Sequence, residues 1–344
     1  MSYTNGLDKP SDYFNTKLYT GTGAEHNITG VGFQPDWTWI KERNNVTSHR
    51  VFDIIRGATV EMFPDLTDGE SSDAQSLKSF DSDGFTLGTD GATNGSSDTY
   101  ASWNWLASNT TASNTDGDIT STVSANTTSG FSIVTWTGTG SAGTLGHGLG
   151  STPKMIIVKC RSDADTWAGY HVDVGATKYM ELDTTAAAQT STQPWNDTEP
   201  TSLVFTVGNW SATNGSGRTY IAYCFSEVKG FSKFGSYVAN ASNDGPMIYL
   251  GFKPAFVIIK RTSNTNPWIL LDNKRGSFNV NQSKLFPNSS DAENTDTSNG
   301  IDFLSNGFKI RRNNTEINGA SGDTFIYMAF AEEPLVGDNP ATAR

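Results

Sequence analysis

The sequence predicts an all-β protein of three tandem, diverged β-sandwich domains of jelly-roll-like type. Three observations lead there: a long internal repeat, short apolar runs bounded by Gly, Asn, Asp or Pro, and a lack of long amphipathic helical patterns.

The repeat is anchored by a strand that starts at proline and ends at lysine: GFQPDWTWIKER from Gly32, GLGSTPKMIIVKCR from Gly148 and GFKPAFVIIKR from Gly251. Pro35, Pro153 and Pro254 each precede a lysine by six positions, at Lys41, Lys159 and Lys260. A glycine stands sixteen residues further on, at Gly57, Gly175 and Gly276. Phe85, Phe205 and Phe308 follow, then Asn94, Asn214 and Asn318, then closing strands from Tyr100, Tyr220 and Phe325. The unit recurs at 118 and then 101 residues, the size of one sandwich and far longer than a solenoid repeat. Each Pro-to-Lys strand is apolar on both faces, which predicts a central strand covered on both sides by a neighbouring domain or a long loop.

The predicted domains are residues 1–108, 130–232 and 233–344. Residues 109–129, a polar stretch, read as a linker with too little apolar surface to pack. The second joint is short and carries Phe231 and Phe234, so domains two and three are expected to dock. The segments 59–78, 176–202 and 277–300 are equivalent loops that differ in length, and partner specificity is expected in them.

A formal net charge of -12 and a pI near 4.7 argue against nucleic acid or an anionic lipid surface as a partner. Met1 to Pro10 lacks a basic region followed by an apolar one, and no run reaches bilayer length, so neither signal-peptide export nor membrane insertion is expected. Cys160 and Cys224 lie in strand-like runs and read as buried free thiols.

The motifs that suggest chemistry have structural readings beside them. DSDG at Asp81–Gly84 lacks the full ligand pattern of a calcium loop, and the third repeat has Ser-Asn-Gly there, so it reads as a hairpin turn. Asp53 with Arg56 matches Asp272 with Arg275, while the second repeat has His171 and Val174, so the fold can omit the pair, which reads as a local ion pair or turn brace, the alternative being a carboxylate, sugar or protein contact at an exposed loop. His26, His49, His147 and His171 form no metal-ligand spacing, and no nucleophile, zinc-protease or phosphate-loop motif occurs. No catalytic residue, metal or cofactor is expected. Most tryptophans align with apolar positions of the other repeats. Trp195 and Trp210 instead stand in polar, turn-rich surroundings, where an indole is placed either to stack on a sugar or anchor a protein contact, or to pack a long loop onto its own sandwich.

The opening TNGLDKPSDYFNTKLYTGTG, the GFQPDWTWIKER strand, DSDGFTLG, WAGYHVDVGATKYMELDTT, EVKGFSKFGSY, IDFLSNGFKI and the ending MAFAEEP together resemble tail-fibre-like structural proteins of tailed phages, especially phages of marine bacteria. The resemblance covers nearly the whole chain and supplies no catalytic residues. It implies a non-enzymatic virion protein, assembled in the host cytoplasm: a fibre or appendage subunit whose partners are other virion proteins and a host surface glycan or protein, with homotrimeric assembly. The alternative is a capsid decoration or head-fibre protein, and a third reading from a different class is a polysaccharide depolymerase.

Overall fold

The computed structural model describes residues 7–297, 300–335 and 340–341. It is all-β, and each repeat is built from two antiparallel sheets. In the larger sheet the opening strand lies beside the closing strand, which lies beside the Pro-to-Lys strand, which lies beside the strand that follows it. In repeat one these are Phe14–Thr20, Thr99–Trp105, Trp37–Glu42 and Arg50–Asp53. Repeat two uses Phe131–Thr137, Thr219–Ser226, Pro153–Cys160 and Ala168–His171. Repeat three uses Ser232–Val238, Thr324–Pro334, Phe252–Arg261 and Ile269–Asp272. The smaller sheet pairs His26–Thr29 with Gly84–Leu87, Gly143–Gly146 with Val204–Val207, and Met247–Tyr249 with Gly307–Ile310.

The period-two alternation of a strand sends successive side chains to opposite faces, and in the central strands both faces are buried. One face packs against the repeat's own smaller sheet: Ile40 and Tyr100 in repeat one, Ile156, Val158 and Tyr220 in repeat two, Val257, Ile259 and Phe325 in repeat three. The opposite faces of all three repeats meet in one shared core. Trp37, Trp39, Trp103 and Trp105 pack there with Met155, Ile157, Tyr223 and Phe225 and with Phe256, Ile258, Met328 and Phe330. The sandwiches therefore close into a ring around a common centre, and do not form a row of separate cores.

At that centre stand Trp105, Phe225 and Phe330, the same position of the three closing strands. Their ring centroids lie 6.5, 5.6 and 5.9 Å apart, so each touches the other two. Edge-to-face geometries of this kind contribute about 0.5–1.5 kcal/mol per pair beyond burial of area. The arrangement has the character of a threefold axis written into one chain.

The register asparagines also find their reason. Each ends a single helical turn, Gly91–Asn94, Ser211–Asn214 or Thr315–Asn318, ahead of the closing strand and not within it. The Asn94 amide donates to the Gly88 and Ala24 carbonyls and accepts from the Thr22 N–H. Asn214 does the same with Gly208, Ser141 and Thr139, and Asn318 with Ser242 and Asn240. A buried amide with donors and acceptors all matched pins the turn to the loop after the opening strand.

Residues 109–129 are not a linker. Ala112–Asn114 and Ser121–Asn126 pair in sequence onto the edge of the larger sheet of repeat two, making it eight-stranded. Composition misleads here because a strand added to an existing edge gains a backbone ladder and needs few apolar anchors. Ile119 and Val123, both buried in the core of repeat two, serve as those anchors. Phe231 and Phe234, on the short second joint, are buried in the shared core.

Candidate functional site

Residues on and just after the Pro-to-Lys strands converge on the three joints of the ring, and the backbone clasp is the same at each joint. Past each Pro-to-Lys strand, the N–H groups of Thr47, Asp165 and Asn266 donate to the carbonyls of Ser290, Thr67 and Thr185 at 2.9, 2.8 and 2.8 Å. In return the N–H groups of Glu293, Glu70 and Ala188 donate to the carbonyls of Arg43, Arg161 and Thr262. The loop of repeat one thus clasps repeat two, that of repeat two clasps repeat three, and that of repeat three clasps repeat one. The segments 59–78, 176–202 and 277–300, the equivalent loops in which partner specificity is expected, carry these clasps at residues 67–70, 185–188 and 290–293.

Eight residues after each register lysine stands a ring with a donor, His49, Trp167 or Trp268. His49 Nδ1 accepts from Trp39 Nε1 at 2.9 Å, which leaves the proton on Nε2 to donate to the Phe286 carbonyl at 3.0 Å. Trp167 Nε1 donates to the Phe63 carbonyl and Trp268 Nε1 to the Glu181 carbonyl, both at 2.9 Å. Each of the three bonds to a carbonyl crosses a joint.

The lysines themselves are buried. Lys159 Nζ reaches the Thr67 carbonyl and Lys260 Nζ the Thr185 carbonyl, both at 2.9 Å across a joint, whereas Lys41 bonds carbonyls of its own turn, Glu42 and Asn45. Burial disfavours the ammonium, pushing Lys41 down to about 8 and Lys260 down to about 7, and it lowers Lys159 in the same direction.

The Asp and Arg pairs are the local ion pairs and turn braces expected, and they are buried. Asp53 with Arg56 and Asp272 with Arg275 are ion pairs whose side chains are 0% exposed, each with Nε to Oδ2 at 2.5 Å. Asp53 also accepts from the Tyr223 hydroxyl of repeat two at 2.8 Å, and Asp272 from Trp103 Nε1 of repeat one at 3.0 Å. Tyr223 and Trp103 occupy equivalent positions in their closing strands, and the third equivalent is Met328, which has no strong donor. Opposite Met328 the pair is replaced by His171, whose Nε2 donates to the Tyr327 carbonyl at 3.2 Å, its Nδ1 accepting from Asp173 N–H. Burial pushes His171 down to about 4, so it sits neutral. A buried carboxylate thus occurs where the neighbouring repeat offers a donor and is absent where it does not.

Trp195 is 2% exposed, packed edge-on to Tyr170 with centroids 6.0 Å apart, and presents no ring face for stacking on a ligand. Trp210 and Tyr179 are both half-buried, T-shaped with centroids 4.8 Å apart, and pack against the core of repeat two, so part of the pair stays exposed on that repeat. Cys160 and Cys224 are free and buried. Among the described residues no group of three His, Cys, Asp or Glu side chains is placed to hold a metal ion, and no helix is long and apolar enough to cross a membrane.

The signal for the joints was present in the sequence as shared register, but the partner in each contact comes from a different repeat and has no fixed spacing to reveal it. Searches of curated proteins and of solved structures return no match. A family model does match, over residues 9–334, a span that takes in all three repeats as one unit. The chain therefore belongs to the family described as Domain of unknown function (DUF7483).

Proposed function

We propose that this protein is a structural component of a tailed-phage particle, an appendage or tail-fibre-type subunit that works by binding a host surface or neighbouring virion proteins. The observation that carries the reading is the closure of three sandwiches into one ring whose repeated polar groups lie in the joints, together with the phage-like motifs spread along the chain. Such a body is suited to hold its shape while its outer loops vary. The Trp210 and Tyr179 edge is the contact we assign to a host glycan or protein.

Homotrimeric assembly belongs to the same proposal. The internal threefold offers a second route to that symmetry, a single copy seated on a threefold axis. Mass in solution separates them: one chain of 37.1 kDa, or a particle about three times as heavy.

A capsid decoration role is the second reading, favoured by the compact ring and by helices that, among the described residues, are single turns. The test is labelled protein incubated separately with host cells and with phage heads lacking it. Saturable binding to cells, reduced by Trp210→Ala, supports the appendage reading. Binding to heads alone replaces it with decoration, and turnover of host polysaccharide would replace both with a depolymerase.

A further inference from the structure

The three repeats differ in what lies beside their opening strands. Pairing of Phe14 with Trp105, Phe131 with Phe225 and Ser232 with Phe330 puts those strands in register, and pairing of Ile28, Leu145 and Ile248 with Phe85, Phe205 and Phe308 does the same for the edge strands of the smaller sheets. In repeat two the chain itself fills the gap between the two edges. Ser121–Asn126 pairs antiparallel with Phe131–Thr137, the Ile119 N–H donates to the Thr144 carbonyl at 3.0 Å, and Ser121 Oγ donates to the Gly146 carbonyl at 2.9 Å. In the other two repeats, among the described residues, no strand pairs with the outer side of Phe14–Thr20 or of Ser232–Val238.

Repeat one guards its open side as sheet edges are ordinarily guarded, with a lysine and polar residues: Lys17 stands in mid-strand, and Asn27 and Thr29 on the smaller sheet. Repeat three has Gly235, Met247 and Tyr249 at these places. Met247 is 41% exposed, Tyr249 54%, and Val238 at the end of the opening strand 57%. Three of the seven large apolar side chains exposed among the described residues thus border one gap, which marks a patch and not scattered exposure. Lys233 ties the two sides of the gap together, its Nζ donating to the Tyr249 carbonyl at 3.0 Å and lying over the Tyr249 ring. The backbone is turned the same way. The Ala331 N–H donates to the Phe231 carbonyl and the Ala239 N–H to the Asp323 carbonyl, so by antiparallel alternation the N–H and carbonyl groups of Phe234, Ser236 and Val238 point away from the closing strand. Their counterparts Ile133 and Thr135 in repeat two stand opposite Ser124 and Thr122 of the added strand.

We infer that the open side of repeat three is a docking site for an extended segment of another protein chain, which adds as an antiparallel strand to Ser232–Val238 and covers Met247 and Tyr249. Repeat two shows what such an occupant looks like, because there the fold closes the same gap with its own residues. Ile119, Ser121 and Val123 are buried while Thr120 and Thr122 between them are exposed. The segment that fits is therefore a strand of period two, with apolar residues four apart on its inner face and polar residues on its outer face. Main-chain bonds to Phe234, Ser236 and Val238 hold it, and its inner side chains against Met247 and Tyr249 select it, the division of labour by which a peptide joins a sheet edge. The inference stands whether or not the protein belongs to a phage particle.

The experiment uses the full chain and a fluorescein-labelled synthetic peptide with the sequence of residues 112–126, the strand that lies on the equivalent edge of repeat two. Fluorescence anisotropy reads binding, and amide hydrogen exchange locates the peptide. The expected result is saturable binding with a midpoint below about 1 mM and slowed exchange in residues 232–238 but not in 14–20. Binding should be about tenfold weaker in a chain carrying Met247→Lys and Tyr249→Lys, which change exposed side chains. A second variant, Ser236→Pro, removes one outward N–H from an edge strand, where proline is tolerated, and should weaken binding as well. No saturation, unchanged affinity in both variants, or slowed exchange in 14–20 in place of 232–238 would overturn the inference. A mass of two chains that falls to one in Ser236→Pro would also overturn it, because the edge would then be occupied by a second copy.

Discussion

Asp53 and Asp272 show what a single position can carry in a ring. Each balances an arginine three residues away and accepts a donor from the next repeat, Tyr223 or Trp103. Burial works against the Arg56 charge, and the Asp53 carboxylate outweighs it, holding the guanidinium above its ordinary range. Within one repeat the three-residue spacing reads as a local brace, because the third member lies 170 residues away. Tyr223→Phe is expected to cost about 1.5–3 kcal/mol, the range for a bond to a charged group. Asp53→Ala, which strands a buried guanidinium, is expected to cost about 3–5 kcal/mol. Guanidinium unfolding midpoints, read at constant slope, check both values. The buried lysines add a pH dependence. Lys260 at about 7 and Lys41 at about 8 shed protons in the folded chain that the unfolded chain keeps until near 10.5. Unfolded protein then binds more protons, so stability rises with pH over this interval. Between pH 7 and about 9 the melting temperature should climb, and a Lys260→Met variant should climb less.

Individual strands explain which parts of the fold could be read in advance. The Pro-to-Lys strands were legible because proline, lysine and glycine keep one spacing three times, and their two apolar faces announced a cover on each side. What covers the second face was not legible, since the sequence within a strand carries no address for its neighbour. Residues 109–129 were misread for a different physical reason: their stability comes from edge pairing, which composition does not register. Ile119 and Val123 are nevertheless inside. Ile119→Ala should therefore destabilise the protein by about 2 kcal/mol or more, measured by chemical denaturation, where a true linker would tolerate the change within about 0.5 kcal/mol.

Over the whole molecule, the shared core and the clasped loops make the three repeats one folding unit. A repeat length near 100 residues suggests separate sandwiches, and Trp105, Phe225 and Phe330 are what overrule that inference, since each needs the other two to be buried. The same interdependence bears on the candidate sites. The joint contacts exist only when the repeats meet, whereas Trp210 and Tyr179 lie within repeat two. Phe225→Ala is expected to cost about 3–5 kcal/mol and to lower the stability of all three repeats together, a loss that unfolding followed by circular dichroism would record as one shifted transition.

The most direct test is native-state hydrogen exchange read by mass spectrometry in rising, sub-denaturing guanidinium, following peptides from Trp37–Glu42, Pro153–Cys160 and Phe252–Arg261. Closure around one core predicts that the three strands merge into a single opening isotherm with one free energy and one slope. Three separate isotherms, each repeat opening on its own, would contradict the ring.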